Sequence, residues 1–317
     1  MKAAVQYRFG APEVVRIEER PTPVPGPGQA LVRVRATPVT AGDARLRAAR
    51  FPSGFGPLAR PLVGFRKPRV GVLGMSFSGV VEAVGSKVSD WQVGDEVCGT
   101  TGMRMGAHAE LVLAKPAALT RKPPGVSHEQ AAALIFGATT ALFFLRRQTS
   151  IRPGQLVLVV GASGAVGTNI VQIARLDGAR VTGVCSAANA DLVRRLGAER
   201  VIDYSTTDVR SLPERYDVVV DTVGTLGLDA GRRLLTPDGT LLLVVGTLWE
   251  ALRARGNVRA GTAPDRVAEI ETALALVTSG QLEVVIEESF GLDSIVEAHR
   301  RVDSGRKVGN VVVLPQA

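Results

Sequence analysis

One short glycine-rich turn restricts what this chain can fold into. Gly161-Ala162-Ser163-Gly164-Ala165-Val166-Gly167 follows the apolar run Leu156-Val157-Leu158-Val159-Val160 and opens a stretch, Thr168 to Leu176, whose apolar residues recur at helical spacing. Strand, tight turn and helix in that order place backbone N–H groups and a helix N-terminus where a pyrophosphate can sit. Written as G-x-G-x-x-G, the frame puts Ala162 in the first slot, then Gly164 and Gly167, with Gly161 displaced by one. Alanine is small enough for a close turn. The reading is a dinucleotide site with Ala162, Ser163, Gly164, Ala165, Val166 and Gly167 at the cofactor. The plainer alternative is a turn that only packs a helix on a sheet.

The second strand bears on which dinucleotide binds. An NAD site carries Asp or Glu at its end, about 20 residues on, to hold the ribose 2′-OH. Here Arg180-Val181-Thr182-Gly183-Val184 runs into Cys185-Ser186-Ala187-Ala188-Asn189 with no acid, Asp177 falling before the strand and Asp191 in the next helix. The missing carboxylate, with Ser186 as a donor, favours NADPH. Arg194 and Arg195 either add positive field or form a solvated basic face, which is the preferred reading for both.

With 317 residues, 45% of them hydrophobic, the chain can build two domains with their own cores. Its two cysteines, Cys98 and Cys185, exclude a disulfide scaffold and a four-cysteine zinc lobe and fit a reducing cytoplasm. No secretory leader is expected from Met1 to Tyr7. The longest apolar stretch, Ala131 to Leu145, is broken by Thr139 and Thr140 and reads as a buried helix, so no membrane partner is expected. The net charge of +8 is scattered and only 4% of residues are aromatic, which argues against nucleic acid and for a basic surface mildly attractive to anionic cofactors.

Along the chain, residues 1–123 read as β-rich, with strands at 30–36 and 79–85, one following the turn at Gly94-Asp95, and one at 109–113. A long loop, Phe51 to Val70, is rich in Gly, Pro and Arg and suits a lid or a dimer contact. Ser127-x-x-Gln130 is a capping box for the apolar helix. From there strands at 156–160, 180–184, 200–202, 217–221 and 240–245 alternate with helices, and 257–261 is a weak sixth. The spacing predicts an α/β fold: a doubly wound parallel sheet over 124–264, then a segment, 265–317, with a helix at 265–279 and strands at 284–288 and 308–314.

Several stretches in this order resemble the medium-chain dehydrogenase/reductase superfamily, in its zinc-free, quinone-oxidoreductase-like branch. They are Gly74 to Gly85, Val93-Gly94-Asp95-Glu96-Val97, Ala138-Thr139-Thr140-Ala141-Leu142, the glycine turn, Gly197 to Tyr204 and Val220-Asp221-Thr222-Val223-Gly224. The resemblance covers nearly the whole chain. It implies a GroES-like catalytic domain completed by the C-terminal segment, a Rossmann domain inserted between, substrate in the cleft, and a homodimer paired through Rossmann-sheet edges near Leu241 to Val245 or the segment after it. It also implies cofactor contacts at Thr139, Tyr204, Val223, Gly246 and Asn310, with Asn189 where a lysine often accompanies the tyrosine.

At the positions resembling the family's catalytic zinc ligands stand Ala41, Met75 and a residue at about Phe136, none a ligand in zinc's N/S chemistry, so no metal is expected. A reaction without a metal is hydride transfer from NADPH to a quinone or to the β-carbon of an enone. Thr40, Asp43 and Arg45 are the candidates at the reaction centre, with Asp43 preferentially a carboxylate that orients its loop. Ser78, Tyr7 and Thr100 are further possible donors, and Met103, Met105 and Trp249 line either a pocket or the core. Two alternatives stay open: an enoyl reductase for CoA- or carrier-linked substrates, met by Arg60, Arg66, Lys67 and Arg69, and a non-catalytic NADPH sensor.

Overall fold

The computed structural model describes residues 1–316. Alternating patterns in the first third become antiparallel strands. Strands β1 (Lys2–Gln6) and β2 (Val15–Glu19) pair as a ribbon, and β3 (Ala30–Val39) starts the larger sheet. In β3 the inward residues Ala30, Val32, Val34 and Ala36 are fully buried, the period-two signature read from the sequence. Helices α1 (Ala41–Ala48) and α2 (Gly56–Val63) follow, then β4 (Ser76–Val84), β5 (Glu96–Thr100), β6 (Leu111–Ala114) and β7 (Leu119–Arg121).

Both short helices fall where the sequence suggested loop. Thr40 and Asp43 form a full capping box that nucleates α1. In α2, Pro57 lies in the first turn, where an N–H has no intrahelical acceptor, so the segment 51–70 is not the long loop expected.

Helix α3 (His128–Phe143) carries the expected capping box, Gln130 N–H donating to Ser127 Oγ at 3.1 Å and Ser127 N–H to Gln130 Oε1 at 3.0 Å. It is buried along most of its length and packs on β3, β4 and β5 of the first sheet and on the helix Ala165–Leu176. The second sheet contains β8 (Leu156–Val160), β9 (Arg180–Cys185), β10 (Arg200–Asp203), β11 (Tyr216–Asp221), β12 (Leu235–Leu243) and β13 (Val258–Ala260). Helices α4 (Ala165–Leu176), α5 (Ala190–Arg195), α6 (Leu228–Arg233) and α7 (Leu248–Arg253) lie between successive strands in the chain. Every pairing in this sheet is parallel and the order is β10-β9-β8-β11-β12-β13, so the strand order reverses between β8 and β11, where a doubly wound sheet opens a ligand crevice. The weak sixth strand exists as β13 and is the sheet edge. β12 is paired on both sides, so residues 241–243 are not an edge, which corrects the expected dimer contact there.

After α8 (Val267–Thr278) the chain rejoins the first sheet through β14 (Ile286–Gly291), α9 (Ile295–Asp303) and β15 (Asn310–Leu314). Strand β14 starts two residues later than the sequence indicated. β15 runs parallel to β14 and antiparallel to Thr37–Val39 of β3, and the sheet order is β14-β15-β3-β4-β5-β7.

Candidate active site

The turn after β8 is built around three glycines with different duties. Gly161, not residue 162, takes the left-handed conformation (φ +81°), and a Cβ there would lie 2.4 Å from Val223 Cγ2 and 2.5 Å from Thr222 Oγ1. Ala162 is fully buried, donates its N–H to Val184 O at 3.0 Å and lies beneath the turn against Gly183, which corrects its assignment to the cofactor surface. Gly167 is buried too, and a Cβ on it would lie 2.1 Å from Gly161 O, so this glycine lets α4 press onto the turn. Gly164 is the N-cap of α4 and no side chain caps that helix, which leaves its first-turn N–H groups for a ligand. Ser163, Gly164 and Ala165 are half-buried at the rim and Val166 lies just inside it. Open amides, small residues and a helix N-terminus fit a pyrophosphate.

The neighbouring wall comes from the ends of β9 and β10. Asn189 Nδ2 donates to Ser163 Oγ at 3.0 Å, joining two of the expected cofactor residues. Tyr204 is exposed and its N–H reaches Cys185 O at 3.2 Å, beside Ser186. Asp203, opposite Cys185 in the ladder, accepts from the N–H and hydroxyl of Ser205, which hold its carboxyl below the usual range. Arg194 and Arg195 pair with Asp191 and Glu283, the basic face preferred from the sequence. On the other side, half-exposed Val223 covers Gly161, fixed by Asp221. That buried carboxylate accepts the N–H groups of Val223, Gly224 and Leu226 at 2.8–2.9 Å. The sequence reading gave Asp221 no role.

A cavity of about 470 Å³ opens between the two sheets. Its walls include Ala41, Ala44 and Arg45 of α1, Phe51 and Ser53, and Gly224, Gly246 and Thr247 from the crevice side. Leu248 N–H donates to Ser53 O at 2.9 Å, joining the two sides of the cleft. Asp43 stands on the opposite face of α1, fully buried. One carboxylate oxygen accepts from Thr40 N–H (2.9 Å) and Thr40 Oγ1 (2.6 Å), the other from Gly74 N–H (3.1 Å). Asp43 is thus a structural tie, not a proton donor, and the Thr40 hydroxyl proton is committed to it; both are corrected as reaction-centre candidates. Thr139 donates its hydroxyl to Ile135 O at 2.6 Å, so towards a cofactor it can only accept. Asn310 Nδ2 donates one of its two N–H groups to Val285 O at 3.0 Å from a buried position, which leaves one donor for a ligand. What the C-terminal segment does bring to the turn is Gly309, whose N–H donates to Ser163 O at 2.8 Å.

Ser78 is buried between Val97 O and His128, and Tyr7 is exposed and bonded to Glu18 and Arg20. The Thr100 hydroxyl donates at 3.4 Å to Asp265. Met103 and Trp249 are exposed, Met105 is buried, and none of them lines the cavity. Burial pushes the Cys98 thiol up to about 12 and that of Cys185 to about 11, so neither is a thiolate at neutral pH.

Residues 26–124 match the alcohol dehydrogenase GroES-like domain and residues 196–313 the zinc-binding dehydrogenase model. A quinone oxidoreductase of Pseudomonas aeruginosa is 30% identical over 99% of this chain and 100% of its own. The chain belongs to the medium-chain dehydrogenase/reductase superfamily and its quinone-oxidoreductase family. An NADPH-dependent alkenal/one oxidoreductase of Arabidopsis thaliana chloroplasts is 27% identical over 99% of this chain and 80% of its own. The solved quinone oxidoreductase of Coxiella burnetii superposes with a TM-score of 0.87 at 28% identity, covering 99% of each chain. Despite the name of the second family model, Ala41, Met75 and Phe136 offer a methyl, a thioether and a phenyl at the positions resembling zinc ligands. Among the described residues no three His, Cys, Asp or Glu side chains converge on one point.

Proposed function

We propose that this protein is an NADPH-dependent, zinc-independent oxidoreductase that reduces a quinone or an α,β-unsaturated carbonyl compound. The observation that carries the reading is the uncapped, glycine-lined start of α4 opening at the switch point of the parallel sheet, beside a cleft walled by both sheets. When bound, a reduced nicotinamide dinucleotide supplies a hydride. The first turn of α4 and the rim residues Ser163, Gly164, Ala165 and Val166 would hold its pyrophosphate. Val223 and Gly246 would flank the nicotinamide half. Ser186, Asn189 and Tyr204, with no acid at the end of β9, would receive a 2′-phosphate. Walls from both sheets exclude water and hold the acceptor, the contribution an enzyme makes when no metal polarises the substrate.

The proposal extends to a cytoplasmic homodimer, in keeping with two free buried thiols and an open sheet edge at β13. The test is turnover of purified, chelator-treated protein with a panel of quinones and enones, followed by nicotinamide absorbance, with NADPH and NADH in parallel. Reduction that survives chelation and is faster with NADPH is the expected result. No reduction of any acceptor, or activity that returns only on adding zinc, overturns the reading.

A further inference from the structure

The cleft contains four charged side chains, and three of them are committed. Asp303 accepts from Arg47 at 2.5 Å and from Arg50 at 3.1 Å. Glu250 caps α7, accepting from Thr247 N–H at 2.7 Å and from its hydroxyl at 2.9 Å. The fourth, Arg45, makes no hydrogen bond and no ion pair with any described residue, although it is half-buried. The face it occupies is fixed by helix geometry. Ala41, Ala44 and Arg45, at i, i+3 and i+4, line the cavity, while Asp43 and Arg47, at i and i+4, point into the protein and are fully buried. Beside two methyl side chains the guanidinium has room, and burial lowers its pKa from the ordinary value without any carboxylate to offset the cost. Guanidinium remains charged under all ordinary conditions, so a partly desolvated, unpartnered one calls for an anion from outside the chain.

We propose that Arg45 is a specificity-determining residue and that the acceptor reduced in this cleft is an enone bearing a carboxylate. This rests on the reductase reading above. The planar fork of arginine matches a carboxylate through two parallel N–H···O bonds, a recognition that a neutral quinone does not use. A cavity of about 470 Å³ suits a small acid. For a 4-oxo-2-alkenoic acid the chemistry balances. Hydride adds to the alkene carbon β to the ketone, the π pair moves onto the ketone oxygen, and a proton from water then completes the saturated keto acid. The alkene gains two electrons, which the reduced dinucleotide loses. The carboxylate is untouched and serves as the handle.

The experiment compares a 4-oxo-2-alkenoic acid with its methyl ester, and separately measures calorimetric binding of 4-oxopentanoate, the saturated analogue. Wild-type protein is expected to favour the acid over the ester by about tenfold or more in kcat/KM. In Arg45→Gln that ratio falls to near one and the dissociation constant of 4-oxopentanoate rises about tenfold or more. Arg45→Lys, which keeps charge without the fork, recovers part of both. If the ester and simple quinones are reduced but the acid is not favoured, or if Arg45→Gln leaves the ratio unchanged, the assignment of Arg45 is overturned while the reductase reading stands. If nothing is reduced, the reductase reading fails and this assignment fails with it.

Discussion

Replacing Asp43 by Asn separates scaffold from chemistry. The carboxylate is fully buried and receives three donors, two on one oxygen and one on the other. An amide keeps its single oxygen best where two donors converge, at Thr40 N–H and Oγ1. Its NH₂ then faces Gly74 N–H, donor against donor. One buried N–H is left unmet, which costs about 1–3 kcal/mol, and two charge-assisted bonds become neutral ones at about 1 kcal/mol each. The sum, roughly 3–5 kcal/mol, corresponds to a fall in the thermal midpoint of about 4–8 °C for a chain of 317 residues. The assay is thermal unfolding by circular dichroism, paired with kcat measured well below the variant's transition. A lowered midpoint with kcat within a few-fold of wild type is expected. An unchanged midpoint with kcat reduced a thousandfold would return Asp43 to the reaction.

Two further perturbations test other parts of the molecule. Gly167→Ala puts a methyl 2.1 Å from Gly161 O, against backbone that cannot give way, so the first turn of α4 must shift. NADPH binding followed by fluorescence is expected to weaken by about tenfold or more, and a value within twofold of wild type contradicts the account of the turn. His299 is fully buried, neither ring nitrogen has a hydrogen-bond partner, and burial with nearby His108 and Arg47 holds its pKa well below the ordinary 6.5. The native state keeps it neutral while the unfolded chain takes up a proton below pH 6.5, so stability falls as the pH drops through that value. The slope reaches about 1.4 kcal/mol per pH unit. His299→Phe should lose up to about 2 kcal/mol less than wild type between pH 6.5 and 5 in urea unfolding, and equal losses would rule out this source.

The glycine turn and the alternating strands were legible because period and small residues leave direct marks on a sequence. The choice of Gly161 over Ala162 for the left-handed position was not, since Thr222 and Val223, which leave no room for a Cβ at 161, reach the turn only in the fold. Helix α1 escaped because its inward face carries Asp43 and Arg47 instead of aliphatic residues. The signal that could have found it, Thr40-x-x-Asp43, is the same pattern that revealed α3, and Thr247-x-x-Glu250 announces α7 likewise. In the cleft, the residue types at α1 could be read, but the partners that immobilise Asp43 and leave Arg45 alone lie far away in sequence.

The position of β15 dictates an order of assembly. Its partner residues Thr37–Val39 leave the ribosome early, yet their ladder contacts with Val311–Val313 cannot form until the final strand has been made. The parallel sheet, by contrast, draws all six strands from Leu156 to Ala260 and can close while the rest is still emerging. The berth beside Thr37–Val39 therefore stays open until chain from beyond the parallel sheet arrives to fill it. Because Gly309, which immediately precedes β15, also bonds Ser163, the segment that fills this berth fastens the glycine turn of the other sheet as well.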